Sequence, residues 1–164
     1  MNKVSSDAQV RAAADSRPDL LIEAARAEDG PAIAALLRAA ELPHEDFARH
    51  VGRFIVARSG AEIVGAIGAE LYGEEALLRS FVVRADLRGA GLGSRLVREL
   101  ERAAAGWGVR RWWLLTTTAE TFFVKRGFRR VPRGDAPAAI AATEEFRGLC
   151  PSVAVCLSRE WRDE

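Results

Sequence analysis

Leu77-Leu78-Arg79-Ser80-Phe81-Val82-Val83-Arg84-Ala85-Asp86-Leu87-Arg88-Gly89-Ala90-Gly91-Leu92-Gly93-Ser94 reads as a strand, a short turn, a glycine-rich loop and the start of a helix. Glycines at alternate positions let the backbone take φ values that a β-carbon forbids and let a ligand approach it closely. Behind them Leu92, Leu96, Val97, Leu100, Ala103 and Ala104 recur at helical spacing, with Arg95, Arg98, Glu99 and Arg102 on the other face. Unpaired N–H groups and the positive end of the helix dipole meet at such a start, and Arg88 adds a guanidinium, so the loop is read as an anion site, best a phosphate site. A turn that merely joins strand to helix is the competing reading. The apolar strand before, the amphipathic helix after and the leading arginine favour phosphate. The loop is neither of the two commonest phosphate binders: it lacks the Gly-Lys-Ser/Thr ending of a P-loop and the glycine spacing of the dinucleotide fingerprint.

The 164 residues, 49% of them hydrophobic, suffice for one compact domain with a core and are too few for two ordinary ones. A formal net charge of +1 argues against a nucleic-acid surface and points to small molecules as partners. No stretch approaches the roughly 20 apolar residues that span a bilayer, so no membrane partner is expected. Two cysteines, Cys150 and Cys156, lack zinc-site spacing, so no metal is expected and a reduced, cytoplasmic protein fits best.

Residues 1–19 carry little apolar periodicity and read as a flexible leader; residues 20–160 read as a single domain. Residues 20–24 form a first strand. Asp29 is placed as N-cap of a helix with Pro31 near its first position and Ile33, Ala34, Leu36, Leu37 and Ala40 at helical spacing. Pro43 ends it, and residues 45–51 make a short second helix, with His44 and His50 nearby as second-rank candidates for base work. Residues 54–57 and 62–71 form a hairpin whose internal glycines let something pack close; Gly73 turns the chain into the strand at 76–83 that feeds the loop. After the loop helix, residues 111–116 are read as a strand parallel to that one. Thr117 or Thr118 caps a short helix, Gly127-Phe128 opens a strand, residues 136–147 are helical, and residues 152–159 close the sheet. Trp107, Trp112 and Trp113 are assigned to packing.

Arg88-x-x-Gly91-x-Gly93 together with Phe122-Phe123-x-x-x-Gly127-Phe128 resembles the GNAT superfamily of acyl-CoA N-acyltransferases. Within it the runs Ala76-Leu77-Leu78-Arg79-Ser80, Leu114-Leu115-Thr116-Thr117-Thr118-Ala119-Glu120-Thr121-Phe122-Phe123, Asp135-Ala136-Pro137-Ala138-Ala139-Ile140 and Leu149-Cys150-Pro151 are similar to the arsenic-resistance N-acetyltransferases. The resemblance implies an α/β (α+β) fold with a mixed central sheet of about six to seven strands flanked by helices. It implies coenzyme A between splayed strands four and five, and acetyl-CoA as co-substrate. The backbone of Phe81, Val82 and Val83 would receive the pantetheine arm, and Arg88, Gly89, Ala90, Gly91, Leu92, Gly93 and Ser94 the pyrophosphate. The acceptor it implies is the amine of a small, acidic, amino-acid-like toxin of the arsinothricin or phosphinothricin type, with detoxification as the outcome and a homodimer as the candidate assembly.

An amine must be neutral to attack a thioester, and Glu70 is the expected base, acting directly or through one water. The family's tyrosine acid is replaced by Phe123; Tyr72, the only tyrosine, is the substitute candidate. Arg79, inside an apolar run, needs a partner: a salt bridge to Glu70 or Glu75 is one reading, a clamp on an acidic substrate the other. Ser80, Thr116, Thr117 and Thr118 complete the expected acceptor contacts. An acetyltransferase acting on proteins or peptides, and a catalytically silent acyl-CoA-binding module, are the alternatives.

Overall fold

The computed structural model describes residues 20–45, 53–149 and 152–161. The expected leader, most of the expected second helix, His50 and Cys150 lie outside these residues. Seven strands form one sheet: β1 Leu21–Ala24, β2 Phe54–Ser59, β3 Glu62–Tyr72, β4 Glu75–Val83, β5 Arg111–Thr116, β6 Arg129–Arg130 and β7 Val155–Glu160. Their order is β1-β2-β3-β4-β5-β7-β6. β1 to β4 are antiparallel neighbours and β4 runs parallel to β5, as a strand–helix–strand crossover requires. The last strand enters antiparallel between β5 and β6 and leaves the two-residue β6 at the edge.

The helices are α1 Gly30–Ala39, α2 Leu92–Ala104, α3 Glu120–Val124 and α4 Ala138–Ala141. Side-chain alternation sends Phe54 and Val56 of β2 to one face, with Ile33 and Leu37 of α1, and Ile55 and Ala57 to the other, with Leu96, Val97 and Leu100 of α2. One helix therefore covers each face of the antiparallel half. A third cluster, Leu77, Trp113, Ile140 and Cys156, seals the parallel half. Burial there pushes the Cys156 thiol up to about 11, in keeping with an apolar core cysteine.

Three local expectations are corrected. Asp29 occupies the N-cap position of α1 but makes no side-chain cap bond. Its carboxylate instead accepts the Arg26 N–H at 2.7 Å and the Arg58 guanidinium, which also bonds Glu23 at 2.5 Å and so ties α1 to β1 and β2. Residues 136–147 are not one helix: α4 is four residues long and is followed by a π turn, Glu145–Leu149, because Pro137 fixes the start and the Thr143 hydroxyl bonds the Ile140 carbonyl at 2.7 Å. The close approach allowed by the hairpin glycines is used by the protein itself. A β-carbon at Gly68 would lie 2.0 Å from Cε1 of Phe54, its register partner, and one at Gly65 would lie 3.0 Å from Leu96.

Phe54 is 1% exposed and has nowhere to move. Gly68→Ala should therefore cost about 1–3 kcal/mol of unfolding free energy, read from urea denaturation, and Phe54→Leu in the same background should recover part of it. The hydrogen bond from Arg58 holds the Asp29 carboxyl below the usual carboxylate range. A depressed folded pKa contributes stability above the unfolded value, lost as pH falls through the folded one. Asp29→Asn should lower the melting temperature at neutral pH and flatten its fall on acidification.

Candidate active site

β4 and β5 pair at Glu75–Arg111, Ala76–Trp112 and Leu77–Trp113 and then part. Beyond that point β5 keeps β7 as its partner along its length, and β4 keeps β3. β4 carries a bulge at the parting: Gly68 stands opposite Arg79 and Ala66 opposite Val82, so Ser80 and Phe81 together face Ile67. Ser80 sits at φ 55, a left-handed conformation rare for a residue with a side chain. A bulge of this kind bends its strand and re-aims the side chains beside it.

The main chain of β4 is thereby turned to the gap. The Arg84 N–H bonds the Val64 carbonyl at 2.8 Å, and bonded positions alternate in an antiparallel ladder, so Val82 faces β3 while Phe81 and Val83 face away from it. The Arg88 Nε donates to the Val83 carbonyl at 3.0 Å. A cavity of about 910 Å³ fills the gap, walled by residues 78–83 of β4 and residues 114–119 at the end of β5, and reached by Glu41, Leu42 and Pro43, by the glycine loop and by Glu145. That volume suits an extended organic ligand.

The loop is built as its glycines predict, with one difference. Gly89 and Gly91 both sit at φ 83, and Gly91 is the N-cap of α2. The first intrahelical bond recorded at this end is Arg95 N–H to the Gly91 carbonyl, so the N–H groups of Leu92, Gly93 and Ser94 have no carbonyl of their own helix. Gly93 is helical. It is small because a β-carbon there would lie 3.0 Å from Cζ of Phe81 and 3.4 Å from the Phe122 ring. Phe81 packs on Phe122 and Phe123 with centroids 5.0 and 5.4 Å apart, and Phe123 on Phe128 at 5.3 Å, so glycine loop, β4 and α3 close as one aromatic unit.

Beside it, Arg126 donates to the Phe122 carbonyl at 2.9 Å and to the Ser94 hydroxyl, with its guanidinium 3.6 Å over the Phe122 ring. Burial, the largest influence on it, lowers its pKa from the usual arginine value. Arg126 lies in the turn just after α3, where its N–H bonds the Phe123 carbonyl at 2.9 Å, and nothing in its spacing singles it out in the sequence.

The polar end of the cavity is organised by Arg79, 2% exposed. Its Nη1 donates to Glu70 Oε1 at 2.6 Å, its Nε to the Ser80 hydroxyl at 3.1 Å, and its Nε lies 3.6 Å from Glu145 Oε1. The Tyr72 hydroxyl donates to Glu70 Oε2 at 2.9 Å. Arg79, Ser80 and Glu145 line the cavity, whereas Glu70 and Tyr72 are off its wall and meet it through Arg79. Glu75, the other expected partner of Arg79, accepts the Trp113 indole N–H at 2.6 Å. Thr116, Thr117 and Thr118 all line the cavity, but neither Thr117 nor Thr118 caps α3: its N-cap is Ala119, without a side-chain cap bond, and the Thr116 hydroxyl holds the turn before it by accepting the Ala119 N–H at 2.9 Å. Phe123, a side chain without a hydroxyl, is 2% exposed and packs in the aromatic unit. Glu145 was hidden in a segment read as plain helix. No cluster of three metal-ligating side chains occurs among the described residues.

Residues 50–130 match the family model described as an acetyltransferase (GNAT) domain. An amino-acid acetyltransferase of Ralstonia nicotianae is 32% identical over 91 residues, which are 54% of this chain and 20% of that protein. The N-acetylglutamate synthase of Neisseria gonorrhoeae, solved with coenzyme A and N-acetyl-glutamate, superposes with a TM-score of 0.77 at 22% identity, covering 88% of this chain and 36% of that one. Rv2747 of Mycobacterium tuberculosis, solved with CoA, gives 0.74 at 20% identity over 87% of this chain and 99% of that one. The chain thus spans a fifth to about a third of the first two relatives, and it has the GNAT fold.

Gly91→Ala should cost about 1–2 kcal/mol of stability through its left-handed φ. Gly106, with open space around it and no such φ, is the control whose alanine variant should unfold at nearly the wild-type denaturant concentration.

Proposed function

We propose that this chain, a GNAT-type acetyltransferase domain over residues 50–130 within a fold of that type, moves the acetyl group of acetyl-CoA to the α-amino group of a small amino-acid-like acceptor. The observation that carries the reading is the single cavity joining three features: the open edge of β4, the N–H groups at the start of α2, and the buried Arg79 cluster. These residues fit coenzyme A. Gly89 and Gly91 leave main-chain donors uncovered for a pyrophosphate, Arg88 and Arg126 add positive charge beside them, and Phe81 and Val83 offer strand-edge groups to an amide-bearing arm. When bound, acetyl-CoA supplies an activated acyl carbon held in a thioester.

The chain's own contribution is alignment and charge. Main-chain donors near the bulge at Ser80 are placed to polarise a carbonyl oxygen as it gains charge. Arg79 is the cation on the β4 wall of the cavity and is our candidate for the acceptor's acidic group, with Ser80, Thr116, Thr117 and Thr118 as polar contacts around it. Glu70 and Tyr72 hold the far side of Arg79 and act on an acceptor through it or through a bridging water. With no hydroxyl at Phe123, we assign protonation of the departing thiolate to water or to Tyr72. The ternary complex with direct attack is the mechanism this arrangement supports.

The finer part of the proposal is the acceptor: an acidic amino-acid analogue of the arsinothricin or phosphinothricin type. Two things support it, the resemblance of the runs around Arg79, Thr116 and Asp135 to the arsenic-resistance acetyltransferases, and a guanidinium on the cavity wall. A thiol-release assay with acetyl-CoA against arsinothricin, phosphinothricin, glutamate and basic amino acids tests it. Acidic acceptors should turn over fastest, and Arg79→Lys should raise their KM about tenfold or more while changing the KM for acetyl-CoA little. Release confined to peptides would move the acceptor class to proteins, and no release with any amine would leave an acyl-CoA-binding module.

A further inference from the structure

We infer that Glu145 is the carboxylate that receives the acceptor's ammonium group and takes its proton. The inference rests on the reading of an α-amino acid acceptor above and names the residue that reading left open. The acidic side chains on the cavity wall are Glu41 and Glu145. Glu41 is exposed, whereas Glu145 is 4% exposed, and a group held away from bulk water discriminates between charged and neutral ligand atoms far more strongly. Glu70, equally buried, is separated from the cavity by the guanidinium it bonds.

The two ion pairs of Arg79 are unequal. Its contact with Glu70 is a close hydrogen bond at 2.6 Å, while Nε and Glu145 Oε1 stand 3.6 Å apart, beyond hydrogen-bond length. A cation and an anion side by side on one cavity wall match the two charges of an α-amino acid: its carboxylate to Arg79, its ammonium to Glu145. Glu145 is also the first residue of the π turn that follows α4, and π segments are frequent at functional sites.

The step balances. The bound ammonium passes one proton to Glu145. The nitrogen lone pair then forms the N–C bond at the thioester carbonyl, the C–S bond breaks with its electrons on sulfur, and the second proton lost by nitrogen ends on the thiolate. The products are amide, thiol and a protonated Glu145 that returns its proton to water.

Glu145→Gln keeps the size of the side chain and removes the base. With the best α-amino acid of the screen as probe, its kcat/KM should fall about 10²-fold or more near neutral pH while its affinity for coenzyme A stays near wild type. Its rate should then climb with pH as the free amine appears in solution, over a range where the wild type is flat. Charged groups near Glu145 include Arg79 on β4, Glu70 behind it on β3, the adjacent Glu144 and Arg133, which donates to the Phe146 carbonyl at 3.3 Å, so Glu70→Gln is run in parallel and should lose rate without that pH rescue. Parallel pH profiles for wild type and Glu145→Gln, or rescue in Glu70→Gln instead, would overturn the assignment. If the Gln variant does not fold, Glu145→Asp must give a reduced rate with the wild-type profile; an unchanged rate counts against the role. A wild type that acetylates no α-amino acid fails before any variant is made and marks the acceptor reading, not Glu145, as the error.

Discussion

Strand β4 cannot keep two neighbours along its whole length, and the molecule is arranged around that constraint. Three residue pairs tie it to β5, and then the bulge at Ser80 turns it away while β7 holds β5 in place. A flat sheet would have satisfied more main-chain groups, so the divergence has to be held open. The aromatic unit of Phe81, Phe122, Phe123 and Phe128 does this from the loop side, wedged against a helix that can approach because its second residue is Gly93. From the other side the cluster of Leu77, Trp113, Ile140 and Cys156 fixes the point where pairing stops.

The second consequence is electrostatic. A guanidinium as buried as Arg79 costs several kcal/mol to desolvate unless acids surround it. Glu70 and Tyr72 come from β3, two residues apart on one face of that strand, and reach Arg79 across a regular antiparallel ladder. Glu145 comes from the irregular segment after α4. One acid is thus supplied by the most regular part of the fold and one by the least, and the less regular one lies on the cavity wall.

Much of this was legible in the residues. Strands 54–57, 62–71 and 76–83, the parallel strand at 111–116 and the loop helix all follow from β-branched runs, turn glycines and helical spacing, which are local signals. What was not legible depends on partners distant in sequence. Nothing in the text of the chain says that Gly68 exists for the Phe54 ring, that Gly93 is small for Phe81 and not for its φ, or that the final strand enters between β5 and β6. The strand at 111–116 ends where it was read, but that Thr116 rather than its two neighbours would hold the turn into α3, through the Ala119 N–H, depends on the conformation of that turn. Glu145 was invisible for a related reason: Ala-rich composition predicts helix from 136 onward, and the break comes from one proline and one threonine hydroxyl.

The spacing along β4 joins the two halves of the site. From Val83, beside the loop, back to Arg79 is four residues, about 13 Å of extended strand. At one end of that span lie main-chain donors and the cations Arg88 and Arg126, an environment for phosphate. At the other lies a buried arginine flanked by carboxylates, an environment for a zwitterion. A ligand that uses both ends must be long, extended and able to pair with a strand edge in between, while its partner must be small enough to fit at the second end. That division of one cavity into a long arm and a compact, charge-matched pocket is a stronger constraint on the chemistry than any single side chain in it, because it follows from where the sheet comes apart.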